Sequence, residues 1–193
     1  MPALDTEFLR FSGKEMEAIS GMDFSDATQK QFPLCTKFAS MELQPVPLKR
    51  QKPKVWDAFV RACESERFAK IAIEWFSAAG PTILPVANLV SNKKMCGSTR
   101  APRFQANIEV DSVIFYACEL ASAADRDFCR QHFEATVLHE LVHWARFAGG
   151  ANDMLWTEPP IAGAEAGSVF ETWAYGRLFC TSGDYNRLAS SYL

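Results

Sequence analysis

The chain has 193 residues and only three histidines, and these three, His132, His139 and His143, stand within twelve residues of one another. The string TVLHELVHWA (136–145) holds a complete HExxH. On a helix, residues four apart lie about 40° apart around the axis and one turn along it. His139 and His143 therefore present both imidazoles on one face, close enough to share a metal ion. Zinc accepts imidazole nitrogen at about 2.0–2.1 Å, and catalytic zinc sites keep one coordination position for water. Glu140, beside the first histidine, is then placed to take a proton from that water. In a chain with three histidines, a pair four apart arises in roughly 3% of shuffles, and a following Glu reduces this to on the order of 0.2%. The competing reading is a helix with two surface histidines paired to carboxylates. The uncharged neighbours Leu141, Val142, Trp144 and Ala145 suit a buried, metal-bearing helix better. His132 lies seven residues before His139, on the same face but about 10 Å away along the axis, too far for the same ion; a structural role is expected for it.

This pattern resembles the zincin superfamily of zinc metallopeptidases over 136–145, and more loosely over 104–180. The resemblance implies an α+β fold with a small sheet packed on the HExxH helix, whose edge strand lines the cleft, and further helices before and after. A third protein ligand is then required. The metzincin arrangement is absent: Arg146 stands where a Gly is needed and Gly149 where a His or Asp is needed. No histidine follows His143, so a downstream glutamate, the gluzincin solution, is expected. The only candidates are Glu158, Glu165 and Glu171. Glu158 precedes Pro159-Pro160 and reads as a loop residue. Glu165 and Glu171 are six apart, about 240° on a helix, so only one of them meets the ion if both are helical. Glu171 lies between Phe170 and Trp173, where a buried carboxylate needs a strong partner such as zinc. It is the expected ligand. Glu165 sits at the expected helix start, where the dipole alone explains an acid, and is expected to be a cap or an acceptor for a ligand histidine; Asp153 is another acid that could serve as such an acceptor. The choice between Glu171 and Glu165 stays open at this point.

The segment EAGSVFETWAYG (165–176) also looks like metallopeptidase domains of bacterial toxins, including those carried by type VI secretion spike proteins and polymorphic toxins. That likeness implies a zinc-dependent peptidase acting on a protein or peptide, with an immunity protein or a secretion spike as partner. The chemistry expected is metal-assisted hydrolysis, in which Glu140 takes the water proton and passes it to the leaving nitrogen. Tyr175, Tyr185 and His132 are candidates for the donor that steadies the oxyanion. Two rivals remain: a zinc amidase acting on cell-wall peptide, and a zinc-binding module without turnover. Glu140 argues against the second, since a structural site has no use for that carboxylate. Peptide deformylase also uses HExxH, but its companion motifs around a ligand cysteine are missing.

The elements that must position these residues follow from patterning. A helix is expected over 54–79, with Trp56, Phe59, Val60, Cys63, Ala72, Trp75 and Phe76 on one stripe and Gly80-Pro81 as its stop. Residues 81–90 alternate turn and β-like types, and 104–117 reads as one or two strands bent at Asp111-Ser112. The HExxH helix should run from Asp125 to Ala148, ended by Gly149-Gly150. A last helix is expected from Glu165 to Cys180, followed by a short tail. Before these, 1–40 reads as an arm with a helix near 13–20 and aromatic residues at 8, 11, 24, 32 and 38. The proline-rich stretch 41–54 reads as an exposed connector. The division expected is one zincin-like domain over 1–193, with arm and connector at 1–53 and the catalytic core at 54–193.

Composition bounds the rest. Lys+Arg 20 against Asp+Glu 23 gives a net charge of −3, which offers no reason to expect nucleic acid. The basic run Lys49–Lys54 reads as a solvated loop. Residues 1–18 show neither a basic nor an apolar leader region, so a secretory signal is not expected there. The most apolar stretch, 71–90, carries Glu74, Gly80, Pro81 and Pro85 and is not expected to span a membrane. Six cysteines without a CxxC pair exclude a cysteine zinc site and leave buried thiols or disulfides open. Delivery out of the cell or into a target cell, such as to its periplasm, is the expectation that the toxin likeness carries.

Overall fold

In the computed structural model of the chain the described residues are 24–74, 82–87, 96–99, 107–148, 155–156, 163–179 and 181–191. The chain enters through four short helices, α1 (Asp26–Gln31), α2 (Pro33–Glu42), α3 (Pro45–Gln51) and α4 (Pro53–Ala62). Three of them begin on a proline. At the first helical position the ring's fixed φ is already helical and the missing N–H has no intrahelical partner to lose. Pro45 and Pro53 of the expected connector therefore start helices. Pro45 and Leu48 are buried in the core, so 41–54 is packed structure and not an exposed link.

The helix expected over 54–79 is divided. After α4, Glu64 adopts φ 65°. Ser65 then accepts the N–H of Phe68 (3.0 Å) and caps a new helix, α5 (Glu66–Glu74). The residues of the expected stop at Gly80-Pro81 lie outside the described set, as do the proposed helix near 13–20, Phe8, Phe11, Trp75 and Phe76.

Three strands follow, β1 (Thr82–Val86), β2 (Gly97–Thr99) and β3 (Asn107–Asp111), in the order β1-β3-β2. β1 is parallel to β3 and β2 antiparallel to it, so among the described residues β2 is an edge strand. The strand expected over 104–117 stops at Asp111. That side chain accepts the Val113 N–H (2.9 Å) and starts α6 (Ser112–Leu120). The run VIFYA has β-prone residues but buries Ile114, Phe115, Ala117 and Cys118 on a helix. A short apolar run does not announce its period, and here the cap decides.

The HExxH helix, α7, spans Arg126–Ala148, 23 residues, close to its expected bounds. Val137, Leu138, Leu141, Val142 and Ala145 are all buried, because α7 is enclosed by α5, α6, β2 and β3 and by α8 (Ala166–Tyr175). Gly176, in the left-handed region at φ 74°, ends α8. The expected tail is instead a ninth described helix, α9 (Ser182–Ser190), held by a capping box between Thr181 and Asp184. The fold among the described residues is α+β: nine helices around a small three-stranded sheet.

One hydrophobic cluster extends from Phe24 to Leu188. Phe32 meets Phe115 at 5.0 Å and Phe115 meets Phe133 at 5.2 Å, tying the first helices to α6 and α7. α4 backs α8 through Phe59 and Phe170, 5.9 Å apart edge to face. Among the cysteines, Cys35, Cys63, Cys118 and Cys129 are buried free thiols, and Cys96 is disulfide-bonded. No described helix is long and apolar enough to cross a membrane.

His132 is fully buried on α7, flanked by the rings of Phe128 and Phe179, with Nε2 3.7 Å from Cys96 Sγ. Burial pushes its pKa down from 6.5 to about 4. The unfolded chain thus takes up this proton at a higher pH than the folded one, and stability falls as pH drops through that window. The loss from this residue is about 3 kcal/mol between pH 7 and pH 4. Urea unfolding of the wild type and His132→Phe at both pH values should show that difference removed by the substitution; equal pH slopes would contradict it.

Candidate metal centre

α7 and α8 lie side by side and antiparallel, and three polar contacts cross between them in register. Glu134 meets Tyr175, His139 meets Glu171, and His143 meets Glu165. As the partner advances along α7 it retreats along α8. The HExxH residues are thus fixed to a second helix at each turn.

Glu165 is the N-cap of α8, with extended backbone (φ −68°, ψ 131°). Its carboxylate accepts the N–H groups of Gly167 (2.8 Å) and Ser168 (2.7 Å) and the Ser168 hydroxyl (2.6 Å). The same two oxygens face the imidazoles: Oε1 contacts His143 Nε2, and Oε2 lies 3.4 Å from His139 Nε2. One ligand atom from each of His139, His143 and Glu165 falls within 4.8 Å of the others.

Glu171 is buried on the other side of the His139 ring. Its Oε1 accepts from Nδ1 (2.7 Å) and its Oε2 accepts the Phe179 N–H (2.7 Å). Glu165 is the N-cap that was expected, but its carboxylate also faces both imidazoles, whereas Glu171, the expected ligand, lies behind His139 on Nδ1. The two glutamates do face different ways, but Glu165 lies outside the helix, so helical-wheel arithmetic does not govern it. An N-cap carboxylate turns back over the first turn, and here that turn abuts both histidines.

The charges are mutually reinforcing. Burial alone would lower the pKa of His139; the Glu171 hydrogen bond and the charges of Glu140, Glu165 and Glu171 outweigh this and lift it to about 9. Burial would likewise raise Glu165, but the His143 hydrogen bond, the two imidazoles and Ser168 hold it well below the usual carboxylate range. The site is one that favours positive charge. Two imidazole nitrogens and one carboxylate are also the donor set of a three-ligand site with an open position. With Nδ1 of His139 tied to Glu171, its Nε2 is the nitrogen left for an ion. Nδ1 of His143 has no hydrogen-bond partner among the described residues. The residues present fit a divalent metal.

Glu140 is buried beside them and held from the sheet. Thr99 Oγ1, on β2, donates to its Oε2 (2.7 Å) and lies 3.0 Å from its backbone carbonyl. Two glycines make room. A Cβ on Gly167 would stand 2.4 Å from the His139 ring, and one on Gly97 would stand 2.6 Å from Glu140 Cγ. Thr99, Gly97, Gly167 and Phe179 were not singled out from the sequence. Gly167 had a signal, its place two residues after Glu165; Gly97 and Thr99 had none, because their partner is distant in the chain. Tyr175 is engaged elsewhere: its hydroxyl donates to buried Glu134 (3.0 Å), which Lys52 also pairs. Tyr185 is half-buried on α9, and His132 packs at Cys96, so neither joins the three-residue group. Asp153, Glu158 and Gly149-Gly150 lie outside the described residues.

Gly167→Ala should displace the His139 ring, which Glu171 prevents from yielding, and weaken binding of a divalent ion by about 10–100-fold, the usual cost of disturbing a ligand's support. Gly97→Ala displaces Glu140, which is outside the three-residue group, and should leave ion affinity near wild type. Titration calorimetry with zinc on both variants checks this; a larger loss in Gly97→Ala would contradict it.

No curated protein and no solved structure matches the chain significantly. Residues 28–176 match a protein-family model, covering α2 to α8 and both halves of the site. The chain belongs to the family described as metallopeptidase toxin 3.

Proposed function

We propose that the chain is a zinc-dependent peptidase of zincin type, in which His139, His143 and Glu165 hold the ion and Glu140 is the general base. The observation that carries this reading is the convergence of one ligand atom each from His139, His143 and Glu165 within 4.8 Å, with the Glu165 carboxylate on both Nε2 atoms and a pinned glutamate one residue along from His139. When bound, the ion supplies Lewis-acid polarisation of the scissile carbonyl and acidifies water. Glu140 accepts the proton of the attacking water and returns it to the leaving nitrogen. Thr99, on β2, donates to Oε2 and fixes the orientation of the carboxylate, leaving Oε1 for the proton. Glu171 fixes the tautomer and the plane of His139, so that Nε2 carries the lone pair that faces the ion. β2, the edge strand, brings Gly97 and Thr99 against Glu140, and an extended peptide lying along that edge passes the base. A sheet edge beside the HExxH helix is also what the zincin resemblance implies, and it supports this reading.

The peptidase acts as a toxin delivered to a target cell, on a protein or peptide, and an immunity protein is the partner that a toxin requires of its producer. The Cys96 disulfide favours an oxidising site of action such as a periplasm.

Glu140→Gln should retain zinc while hydrolysis of casein or a peptide library falls by at least about 10²–10⁴-fold, the contribution of a general base. Glu165→Ala should abolish stoichiometric zinc, and Glu171→Ala should weaken it by about 10–100-fold. Full hydrolysis by Glu140→Gln would sink the mechanism. Loss of zinc in Glu171→Ala with retention in Glu165→Ala would reassign the third ligand to Glu171. Cleavage confined to cell-wall peptides would move the substrate to that class and leave the zinc site as assigned.

A further inference from the structure

Arg146 follows His143 by three residues on α7 and is only 4% exposed, although a guanidinium ordinarily reaches water. Nη1 pairs with Glu64, and Nη2 donates to the backbone carbonyl of Leu155 (2.8 Å). The guanidinium also lies 5.7 Å from the centre of the Trp156 ring. Leu155 forms an antiparallel bridge with Glu165. Beside it, the Trp156 N–H donates to the Ala164 carbonyl (2.7 Å), and the Gly163 N–H donates to the Trp156 carbonyl (2.7 Å). A continuous set of contacts therefore leads from Glu64 through Arg146 to the two-residue segment against which the backbone of Glu165 is laid.

Two features mark this as more than a packing contact. Glu64 holds its carboxylate on Arg146 from a left-handed backbone (φ 65°), a conformation that a non-glycine residue keeps only where its surroundings impose it. The pair is buried only on the Arg146 side, Glu64 being 51% exposed, and an ion pair open to solvent contributes little stability, so stability alone is a weak reason for this pairing. The carbonyl Arg146 grips is the one opposite Glu165, whose side chain faces both imidazoles.

We infer that Arg146, steadied by Glu64, is a positioning residue for Glu165: it fixes the 155–156 segment and so sets where the Glu165 carboxylate stands relative to His139 and His143. The inference rests on the proposed assignment of these three residues to a metal ion.

The test is the zinc dissociation constant of the full chain, read by competition with a fluorescent chelator, for wild type, Arg146→Met, Arg146→Lys, Glu64→Ala and His143→Ala. Arg146→Met and Glu64→Ala should raise the constant by about 10–100-fold, the range for residues that support a ligand. Arg146→Lys, which retains the charge and one of the two contacts, should restore part of it. A merely structural arginine would lower the melting temperature of the zinc-free chain and leave the affinity of the folded fraction unchanged. If Arg146→Met does not fold, the other two variants decide. Folded Arg146→Lys and Glu64→Ala with wild-type affinity would overturn the inference while the metal assignment stands. Wild-type affinity in His143→Ala would remove the metal assignment itself.

Discussion

The arrangement of the site depends on one buried hydrogen bond, from His139 Nδ1 to Glu171 Oε1 across the α7–α8 interface. It fixes which nitrogen of His139 is free and the plane in which the ring lies. With the ring so fixed, the first turn of α8 has no room for a side chain at position 167, and Gly167 becomes a requirement of the geometry. The second oxygen of Glu171 accepts the Phe179 N–H, so the same carboxylate also anchors the chain beyond α8. Behind it, Phe59 of α4 packs against Phe170 and Arg61 lies over Trp173 at 4.0 Å, pressing α8 onto α7.

Electrostatics and geometry point the same way. Three carboxylates, Glu140, Glu165 and Glu171, converge on two imidazoles in a largely buried space, and a cation is what satisfies them. In the metal-free chain a proton on His139 serves, which is why its pKa rises to about 9. A raised histidine stabilises the fold fully below its unfolded value of 6.5 and ceases to do so as pH passes 9. Glu165, lowered, stabilises above its ordinary value of 4.5 and loses this as pH falls. A divalent ion bound there would take the place of that proton, so its binding would release protons and be favoured by rising pH.

Much of this was legible because local patterns carried it. HExxH needs only the helical period, and α7 follows its expected bounds within a residue. The pair Glu165 and Glu171 was legible by elimination, since so few acids follow His143. Their placement was not, because a cap at Glu165 was expected but the contact of that capping carboxylate with both imidazoles is set by the packing of α8 on α7. The prolines at 45 and 53 misled for a similar reason: the same residue breaks a helix in its interior and starts one at its first position. The run after Asp111 looked like strand because β-branched and aromatic residues suit either element once fully buried. Thr99 and Gly97 left no trace in the sequence, since their meaning comes from a sheet edge that meets α7 some forty residues later. The three histidines divide as the spacing required: two converge with Glu165, and the third is a neutral core residue.

The central claim is that one ion sits on the Nε2 side of both histidines, with Glu165 as the third protein ligand and Glu171 behind His139. Anomalous diffraction at the zinc edge from crystals of the zinc-loaded chain tests it most directly. The account predicts a single peak within about 2.0–2.2 Å of His139 Nε2, His143 Nε2 and a Glu165 oxygen, with Glu171 still on Nδ1. A peak coordinated by Glu171, or by His139 through Nδ1, would contradict it.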